Sequence, residues 1–378
     1  MKFQIETKLL QRLAATALKV IQSRTVLPAY QNFFFGEDER GTFLIAANPD
    51  HQLRLPLAVT SHDKFEPFMV DAHRFVSIIG TLDTEVLVFN LDMKKHTLEV
   101  DYQTGKMQLP VLDADVFPKP QVGEQDMLFS CDFAELRQAI TAASAFATVD
   151  PLRPVFSAVL LDVKADGLTV VGTDGHSLYK RVFDFGAPFI TSGNSQQLVV
   201  PLNAVSVLSA AFAQAEKITI ASHGGKMVFC ADGVELIATK IEGRYPNYNS
   251  IIPTSQPCSI TFALDTLKSI LKRVQVIVAA LPVRQFALCS IDGTVHFKGE
   301  DKDFSLSSDE QVPVVAQSDN IPVKFAVGIN SVSFARILGN IKTENVVVSF
   351  TDSTKCVTVR EDAPNSSLLM LTMPVLLD

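Results

Sequence analysis

The chain has 378 residues, of which 47% are hydrophobic and 20% are charged, and its formal net charge is −8. This length exceeds what one hydrophobic core usually supports, so several domains are expected. The longest apolar runs are too short to cross a bilayer. The acidic balance argues against a protein that wraps nucleic acid with its whole surface, because such binding depends on neutralising many phosphates.

Two further features indicate the compartment. The chain does not begin with a basic segment followed by an apolar run and a small-residue cleavage site, so we expect a cytoplasmic protein that is not exported and has no membrane partner. The five cysteines are scattered and include no CxxC pair. This spacing favours reduced thiols over disulfides or a zinc site.

The first third of the chain reads as strand, helix, several strands, helix, several strands. A strand from Phe3 leads into a helix with apolar residues at i, i+3 and i+4 spacing, and Gly41 opens a β run. A second helix is predicted at 71–79, before another β-rich run. Short turns with Gly and Asp join the β runs, which favours antiparallel hairpins. The pattern predicts an α+β domain with both helices on one face of an antiparallel sheet.

The same order of elements occurs three times. Each third has a glycine that opens a β run, and these glycines are 126 positions apart: Gly41, Gly167 and Gly293. Each third also ends at a proline, and these prolines are 128 positions apart: Pro118, Pro246 and Pro374. Further second helices are predicted at 201–208 and 328–338. The repetition predicts three similar domains, at 1–125, 126–253 and 254–378.

Catalytic and metal-binding patterns are not evident in the sequence. It contains no nucleotide-binding glycine motif, HExxH or GxSxG. The seven histidines are scattered without an i, i+4 pair. We therefore expect no catalytic residues, no metal and no cofactor.

The sequence Thr173-Asp174-Gly175-His176 admits two interpretations. Asp174 and His176 have the chemistry of an orienting carboxylate and a general base, as in a hydrolase. Alternatively, Asp and Gly supply the chemistry of a tight turn after a strand. The other repeats also have turn-forming residues here, which favours the turn but leaves the histidine unexplained.

Basic residues recur on the opening helix of each repeat. Lys8 and Arg12 form an i, i+4 pair in the first repeat, Arg137 lies in the second, and Lys268 and Lys272 form another such pair in the third. Like charges at this spacing cost a helix some stability. They are compatible with an ordinary solvated face, but their recurrence favours a polyanionic partner.

Several features together resemble the bacterial β sliding clamp family, the processivity subunits of replicative DNA polymerases. They are the three repeats, the Thr-Asp-Gly-His-x-Leu sequence from Thr173, the Glu-Gly-Arg-Tyr-Pro sequence from Glu242, and Met373-Pro374. The resemblance covers the whole chain. It implies a head-to-tail homodimeric ring of six similar domains, with helices lining the hole and sheets at the rim. Such a ring encircles duplex DNA without sequence preference and tethers the polymerase, with no catalysis of its own.

The resemblance also implies one pocket per protomer for short peptides with apolar and aromatic anchors. The polymerase, the clamp loader and repair proteins would share it. The implied pocket residues, with Phe156 placed on the strand before the turn, are Phe156, Thr173, Gly175, His176, Leu178, Pro246, Ile251, Thr354, Cys356, Leu371, Met373, Pro374 and Val375.

Contacts with DNA and between protomers are implied as well. Arg24 and Arg153 match DNA-contacting arginines of the family and join the helix residues Lys8, Arg12, Arg137, Lys268 and Lys272. The dimer contact would pair Met107 and Leu109 of the first domain with Ile277 and Val278 of the third. The chain departs from the family pattern at the pocket rim, where Ser177 follows the histidine and the chain closes with Leu376-Leu377-Asp378.

Two alternatives to a clamp remain open at this point. One is a hydrolase that uses Asp174 and His176. The other is a repeat scaffold that binds proteins and never DNA.

Overall fold

The structure is a computed structural model that describes residues 1–22, 25, 27–61, 64–118, 126–186 and 195–377. In the first third, the helices are α1 (Thr7–Leu18) and α2 (Ala72–Ile79). The strands of this third are β1 (Lys2–Glu6), β2 (Asn32–Asp38), β3 (Gly41–Ala47), β4 (His51–Pro56), β5 (Thr60–Ser61), β6 (Phe68–Asp71), β7 (Val86–Asp92), β8 (Thr97–Tyr102) and β9 (Gly105–Asp113).

The second third follows the same plan. Its helices are α3 (Ala134–Ser144) and α4 (Leu202–Ala211). Its strands are β10 (Asp126–Asp132), β11 (Ala158–Val163), β12 (Gly167–Thr173), β13 (Ser177–Asp184), β14 (Gln196–Pro201), β15 (Lys217–His223), β16 (Lys226–Ala231) and β17 (Val234–Thr239).

The last third repeats the plan again. Its helices are α5 (Leu264–Ile277) and α6 (Ser331–Gly339). Its strands are β18 (Cys258–Ala263), β19 (Gln285–Ile291), β20 (Thr294–Asp301), β21 (Leu306–Gln311), β22 (Ala316–Gln317), β23 (Ala326–Asn330), β24 (Asn345–Phe350), β25 (Val357–Glu361) and β26 (Leu368–Thr372). The three-fold repetition of elements and the α+β class are confirmed.

Matching leucines and glycines of the three repeats have similar places in the elements. The leucines at matching positions of the three opening helices, Leu10, Leu136 and Leu267, are all fully buried. Gly41 and Gly167 open strands as predicted, whereas Gly293 lies one residue before β20 with a positive φ of 81°. A hairpin turn needs this conformation, and glycine adopts it without strain.

One predicted helix start was wrong. The sequence placed the last helix from residue 328, but 328–330 complete β23 and α6 begins at Ser331. The helix starts at Ser331 because Asn330 is its N-cap residue. The Asn330 side chain accepts hydrogen bonds from the backbone N–H groups of Val332 and Ser333, at 3.0 and 2.9 Å. Such a cap satisfies N–H groups that the first turn of a helix leaves free.

The chain forms two compact units. The first comprises Met1–Thr141 and Pro188–Glu242, and the second comprises Ala142–Ala187 and Gly243–Asp378. In the first unit, one antiparallel sheet has the strand order β10-β15-β16-β17-β4-β3-β2-β6-β9-β8-β7-β1-β5. In the second unit, strands follow one another in the order β11-β12-β13-β26-β25-β24-β18-β22, and a separate sheet has the order β21-β20-β19-β23.

Sheet pairing crosses the limits of the predicted repeats. In the first unit β17 pairs with β4, with Leu236 opposite Leu53. In the second unit β13 pairs with β26, with Leu178 opposite Leu371. Backbone hydrogen bonds thus join successive repeats, and the three domain limits at 1–125, 126–253 and 254–378 stay a prediction.

Aromatic side chains dominate the core of the first unit. Phe35 and Phe68 stack with ring centres 4.9 Å apart, and Phe3 stacks on Phe89 at the same distance. All four rings are at most 1% exposed. Offset stacking of this kind contributes about 1 kcal/mol per pair beyond the burial of area. Helix α1 packs on α2, and in the second unit α5 packs on α6.

All five cysteines are free thiols. Cys131, Cys258, Cys289 and Cys356 are buried, and Cys230 is half-buried. Burial raises the pKa of the Cys131 thiol to about 12 and that of Cys230 to about 11. The described residues bring no metal-binding group of three His, Cys, Asp or Glu side chains together. Within these ranges, every helix falls short of the length and apolarity that a bilayer-crossing helix requires.

Candidate functional site

The Thr173–Ser177 segment is a tight turn between β12 and β13. The Asp174 carboxylate accepts hydrogen bonds from the backbone N–H groups of His176 and Ser177, at 2.9 and 2.6 Å, and from the Ser177 hydroxyl. Thr173 Oγ1 donates to the carbonyl of Ser177 at 2.7 Å. Gly175 has a φ of 88°, which a side chain disfavours. Asp and Gly therefore serve the turn, as the preferred interpretation predicted.

The carboxylate of this turn is fully engaged. Besides the turn itself, Asp174 Oδ2 lies 3.4 Å from Arg336 Nη1. His176 contacts Asp174 through its backbone N–H, and its side chain is exposed. A hydrolytic pair would require the imidazole ring itself to be oriented by the carboxylate. The geometry therefore favours a structural role for Asp174.

Strand pairing brings the end of the chain to this turn. Leu178 lies opposite Leu371 in the β13–β26 pair, and both are buried. The Met373 N–H donates to the carbonyl of His176 at 2.7 Å. The Met373 side chain is 38% exposed, which makes it an apolar group on the surface beside the histidine.

Phe156 lies on a different element from the one predicted. The sequence placed it on a strand, but it is part of a short 3-10 helix, Pro154–Ser157, that precedes β11. Proline at the first position of this helix presets its backbone. The position that a β-carbon would occupy at Gly175 is 3.8 Å from the Phe156 ring, so the ring packs against the turn.

The remaining residues of the predicted pocket lie in the same unit. The Cys356 thiol donates to the carbonyl of Ile251 at 3.5 Å, and Ile251 is 43% exposed. Pro246 is half-buried between two buried tyrosines, and Thr354 is exposed in the turn before β25. Cys356 directly precedes Val357, which pairs with Thr372 next to Met373. These contacts connect Ile251 and Cys356 to the end of β26 and Met373.

The tail after β26 packs on the β23 edge. The Val375 N–H donates to the carbonyl of Gly328 at 2.9 Å, in an isolated antiparallel bridge. A β-carbon at Gly328 would collide with the carbonyl oxygen of Val375, so only glycine permits this approach. Pro374 is half-buried between the two contacts of the tail.

The basic side chains of the opening helices point away from the core. Lys8, Arg12 and Lys272 are exposed, and Arg137 and Lys268 are half-buried. Within the described part of the chain, Lys8, Arg12, Lys268 and Lys272 form no ion pair. Nearby arginines differ in this respect: Arg273 pairs with Glu310 at 2.7 Å, and the predicted DNA contact Arg153 pairs with Asp150 at 2.8 Å. Arg24 lies outside the described residues.

The predicted dimer residues divide into buried and accessible members. Leu109 is 3% exposed and Val278 is fully buried, each within its own unit. Met107 and Ile277 are half-buried, and so each presents apolar surface. Only the latter pair can contribute new burial on association.

Two open strand edges accompany these residues, and sequence patterns did not predict them. In β9, residues 105–110 pair with β8, while β6 pairs only with 111–113. Strand β21 is the end strand of its sheet, and its sequence LSSDEQ is polar. Charged and polar residues are usual on exposed strand edges, where they prevent aggregation. The polar sequence of β21 was therefore the one feature of the sequence that could have indicated an open edge.

Comparisons with known proteins agree with this architecture. Models of the DNA polymerase III beta subunit match the chain in tandem, the central domain at residues 131–247 and the C-terminal domain at 249–376. The beta sliding clamp of Pseudomonas aeruginosa is 23% identical, with 99% of this chain and 100% of that protein covered. The Vibrio cholerae beta sliding clamp is 22% identical, with the same coverage.

Solved structures show the same fold. The crystal structure of the DNA polymerase III beta chain from Streptococcus pneumoniae superposes with a TM-score of 0.89 at 18% identity and full coverage of both chains. The Pseudomonas aeruginosa sliding clamp bound to griselimycin gives 0.88 at 21% identity, again with full coverage. The fold class is therefore that of a DNA clamp built from repeated α+β domains. The chain belongs to the bacterial β sliding clamp family.

Proposed function

We propose that this protein encircles duplex DNA as a head-to-tail dimeric ring and tethers the replicative DNA polymerase to its template, with no catalysis of its own. The observation that carries the proposal is the match to clamp structures over the full length of the chain. A ring needs no tight contact to any one DNA sequence, because topology keeps it on the duplex. The cytoplasm is the compartment where this function is required.

Two open edges support ring closure. Residues 105–110 of β9 and strand β21 each have one unpaired side among the described residues, and Met107 and Ile277 lie beside them on β9 and at the end of α5. Antiparallel pairing of β9 from one protomer with β21 from its partner would satisfy both edges. Head-to-tail interfaces of this kind close when the rotation per subunit divides the circle.

The basic helices support sequence-independent DNA contact. Lys8 and Arg12 on α1, and Lys268 and Lys272 on α5, carry charges that no acidic side chain in the described ranges neutralises. A few such phosphate contacts are weak at physiological salt and exchange easily. That combination suits a protein that slides.

The surface around His176 and Met373 supports partner binding. Met373 and Ile251 are exposed, Leu178 and Leu371 are buried in the same unit, and the Phe156 ring packs against the turn. Apolar anchors of a short peptide bind such a surface through a few hot-spot contacts. The proposed partners are the polymerase, the clamp loader and repair proteins, which would compete for one pocket per protomer.

Sedimentation over a range of concentrations tests the ring. The expected species has twice the chain mass of 41.3 kDa and persists on dilution. A stable monomer would leave the fold intact but rule out the ring, and the protein-binding scaffold would replace the clamp as the better hypothesis.

A further inference from the structure

Arg336, on α6, contacts both the Thr173–Ser177 turn and the residues that directly follow α3. Its side chain is 25% exposed. Its Nη1 donates to the carbonyl of Ala145 at 2.9 Å and lies 3.4 Å from Asp174 Oδ2. Its guanidinium carbon is 5.2 Å from the centre of the Phe146 ring. One side chain thus contacts the end of α3 and the carboxylate that organises the turn.

The first repeat builds the corresponding turn without an arginine. Asn48 stands at the position equivalent to Asp174, and its Oδ1 accepts from the N–H groups of Asp50 and His51, both at 2.8 Å. Asp174 Oδ1 accepts from His176 and Ser177 in the same pattern.

The two turns differ in how they are attached to the preceding helix. Asn48 Nδ2 donates directly to the carbonyl of Val20, just after α1, at 2.8 Å. A carboxylate has no hydrogen to donate. In the second repeat the donor comes instead from Arg336, which bonds the carbonyl of Ala145, just after α3, and holds Asp174 through its charge. Charge-assisted hydrogen bonds in a half-buried setting are among the stronger ones.

We propose that Arg336 is a positioning residue of the partner-peptide pocket. It supplies the donor that Asp174 lacks, and so holds Gly175 and His176 where the Phe156 ring and Met373 complete the pocket. This inference rests on the proposed function. It makes the shape of the pocket depend on α6, an element of the last repeat that lines none of the predicted peptide contacts.

Replacement of the arginine tests the proposal. Arg336→Ala is expected to weaken binding of a fluorescein-labelled synthetic peptide with leucine and phenylalanine anchors by about tenfold, the loss of one charge-assisted hydrogen bond. It is also expected to speed hydrogen exchange at the His176 and Ser177 amides, since both donate to Asp174. Arg336→Met keeps a long side chain but removes both the charge and the donor, and carries the same test if the alanine variant unfolds.

The first repeat supplies the rescue experiment. In the double variant Asp174→Asn/Arg336→Ala, an amide at position 174 can donate directly to the helix-end carbonyl, as Asn48 does. We expect peptide affinity and amide protection to return most of the way to the wild-type values. A general loss of packing at position 336 would not be reversed by a change at Asp174.

The outcomes separate this inference from the proposed function. Arg74→Ala, on the exposed face of α2, is the matched control and should change neither readout. Unchanged amide exchange and peptide affinity in Arg336→Ala would overturn the positioning role, as would a double variant no better than the single one. A wild-type chain that bound no peptide, while exchange responded as expected, would instead contradict the proposed pocket.

Discussion

At the scale of single residues, Leu371 on β26 and Met373 just after this strand differ in burial. Leu371 is 1% exposed and faces Leu178 across the β13–β26 pair, whereas Met373 is 38% exposed beside His176. The first side chain belongs to the core, and the second has apolar surface that we propose a partner peptide contacts. Truncation of each should therefore affect a different property.

We expect Met373→Ala to weaken binding of the labelled peptide by about tenfold and to leave the free energy of unfolding within about 0.5 kcal/mol of wild type. Leu371→Ala should instead lower the free energy of unfolding by about 2–5 kcal/mol, through lost burial and a cavity. Urea denaturation and fluorescence anisotropy measure the two quantities. Equal destabilisation by both variants would contradict this division.

The residues of the turn were predictable from local patterns, whereas their neighbours were indicated by the family resemblance, as Met373 was, or not at all, as with Arg336. Asp174 and Gly175 carry turn chemistry that acts over four residues, so sequence alone indicated their role. Met373 reaches His176 only through the register of β13 on β26, which depends on packing of the whole sheet. Arg336 meets Asp174 across 162 positions, and no local pattern marks that pair. Local sequence patterns therefore could not predict contacts that depend on long-range strand register or on ion pairs between distant positions.

At the scale of elements, charge pairs hold the end strand β21. Asp309 lies 2.6 Å from His296 Nδ1 and 2.8 Å from Lys298 Nζ, and Glu310 pairs with Arg273. The hydrogen bond from Lys298 is the main cause that lowers the pKa of Asp309, and the bond from Arg273 lowers the pKa of Glu310. The strand is largely exposed, so these pairs are partly screened by solvent.

The sign of the resulting pH dependence follows from linkage. A carboxylate whose pKa is lowered by folding stabilises the protein above its unfolded pKa, and this stabilisation is lost as pH falls through the lowered value. We expect the protection of the β21 amides, corrected for the intrinsic pH dependence of exchange, to fall as pH drops below the ordinary carboxyl range of about 4 and through the lowered pKa values of Asp309 and Glu310. Asp309→Asn should raise exchange at neutral pH and flatten the acid response. An identical pH profile in the variant would exclude Asp309 as a cause.

The basic faces of α1 and α5 carry a second prediction at this scale. Reversal of Lys8, Arg12, Lys268 and Lys272 to glutamate removes up to four phosphate contacts, each worth a slope of about 0.9 in a plot of log affinity against log salt. We expect weaker DNA binding and a shallower slope, measured by filter binding at several salt concentrations. Lys94→Glu, in the exposed turn after β7, is the control. An unchanged slope would remove these helices from the DNA-binding surface.

At the scale of the whole molecule, strand pairing joins successive repeats through backbone hydrogen bonds. The edges of β9 and β21 that are unpaired among the described residues are available for pairing between protomers. The apolar members of the proposed contact, Met107 and Ile277, are half-buried in the single chain. Each further Å² of apolar surface that these side chains bury on association would stabilise the dimer by roughly 25 cal/mol. A charge placed there would have to be desolvated in the interface.

We therefore expect Met107→Glu combined with Ile277→Glu to yield a species of 41.3 kDa in sedimentation, half the mass expected for wild type. Each protomer should keep its fold, because neither side chain is part of the buried core. Val323→Glu changes an equally apolar side chain that is 70% exposed elsewhere, and should leave the mass unchanged. A dimer that survived the double change would place the interface elsewhere.

The burial of the cysteines has a practical consequence for watching the protein at work. Thiols react with maleimides as thiolates, and the raised pKa values of Cys131 and Cys230 keep those groups protonated at neutral pH. The other three are shielded by the folded chain. A single cysteine introduced at an exposed site such as Val323 would then accept a fluorophore selectively, with the five native sulfurs left in place. Movement along DNA could be followed by single-molecule imaging without first redesigning the core.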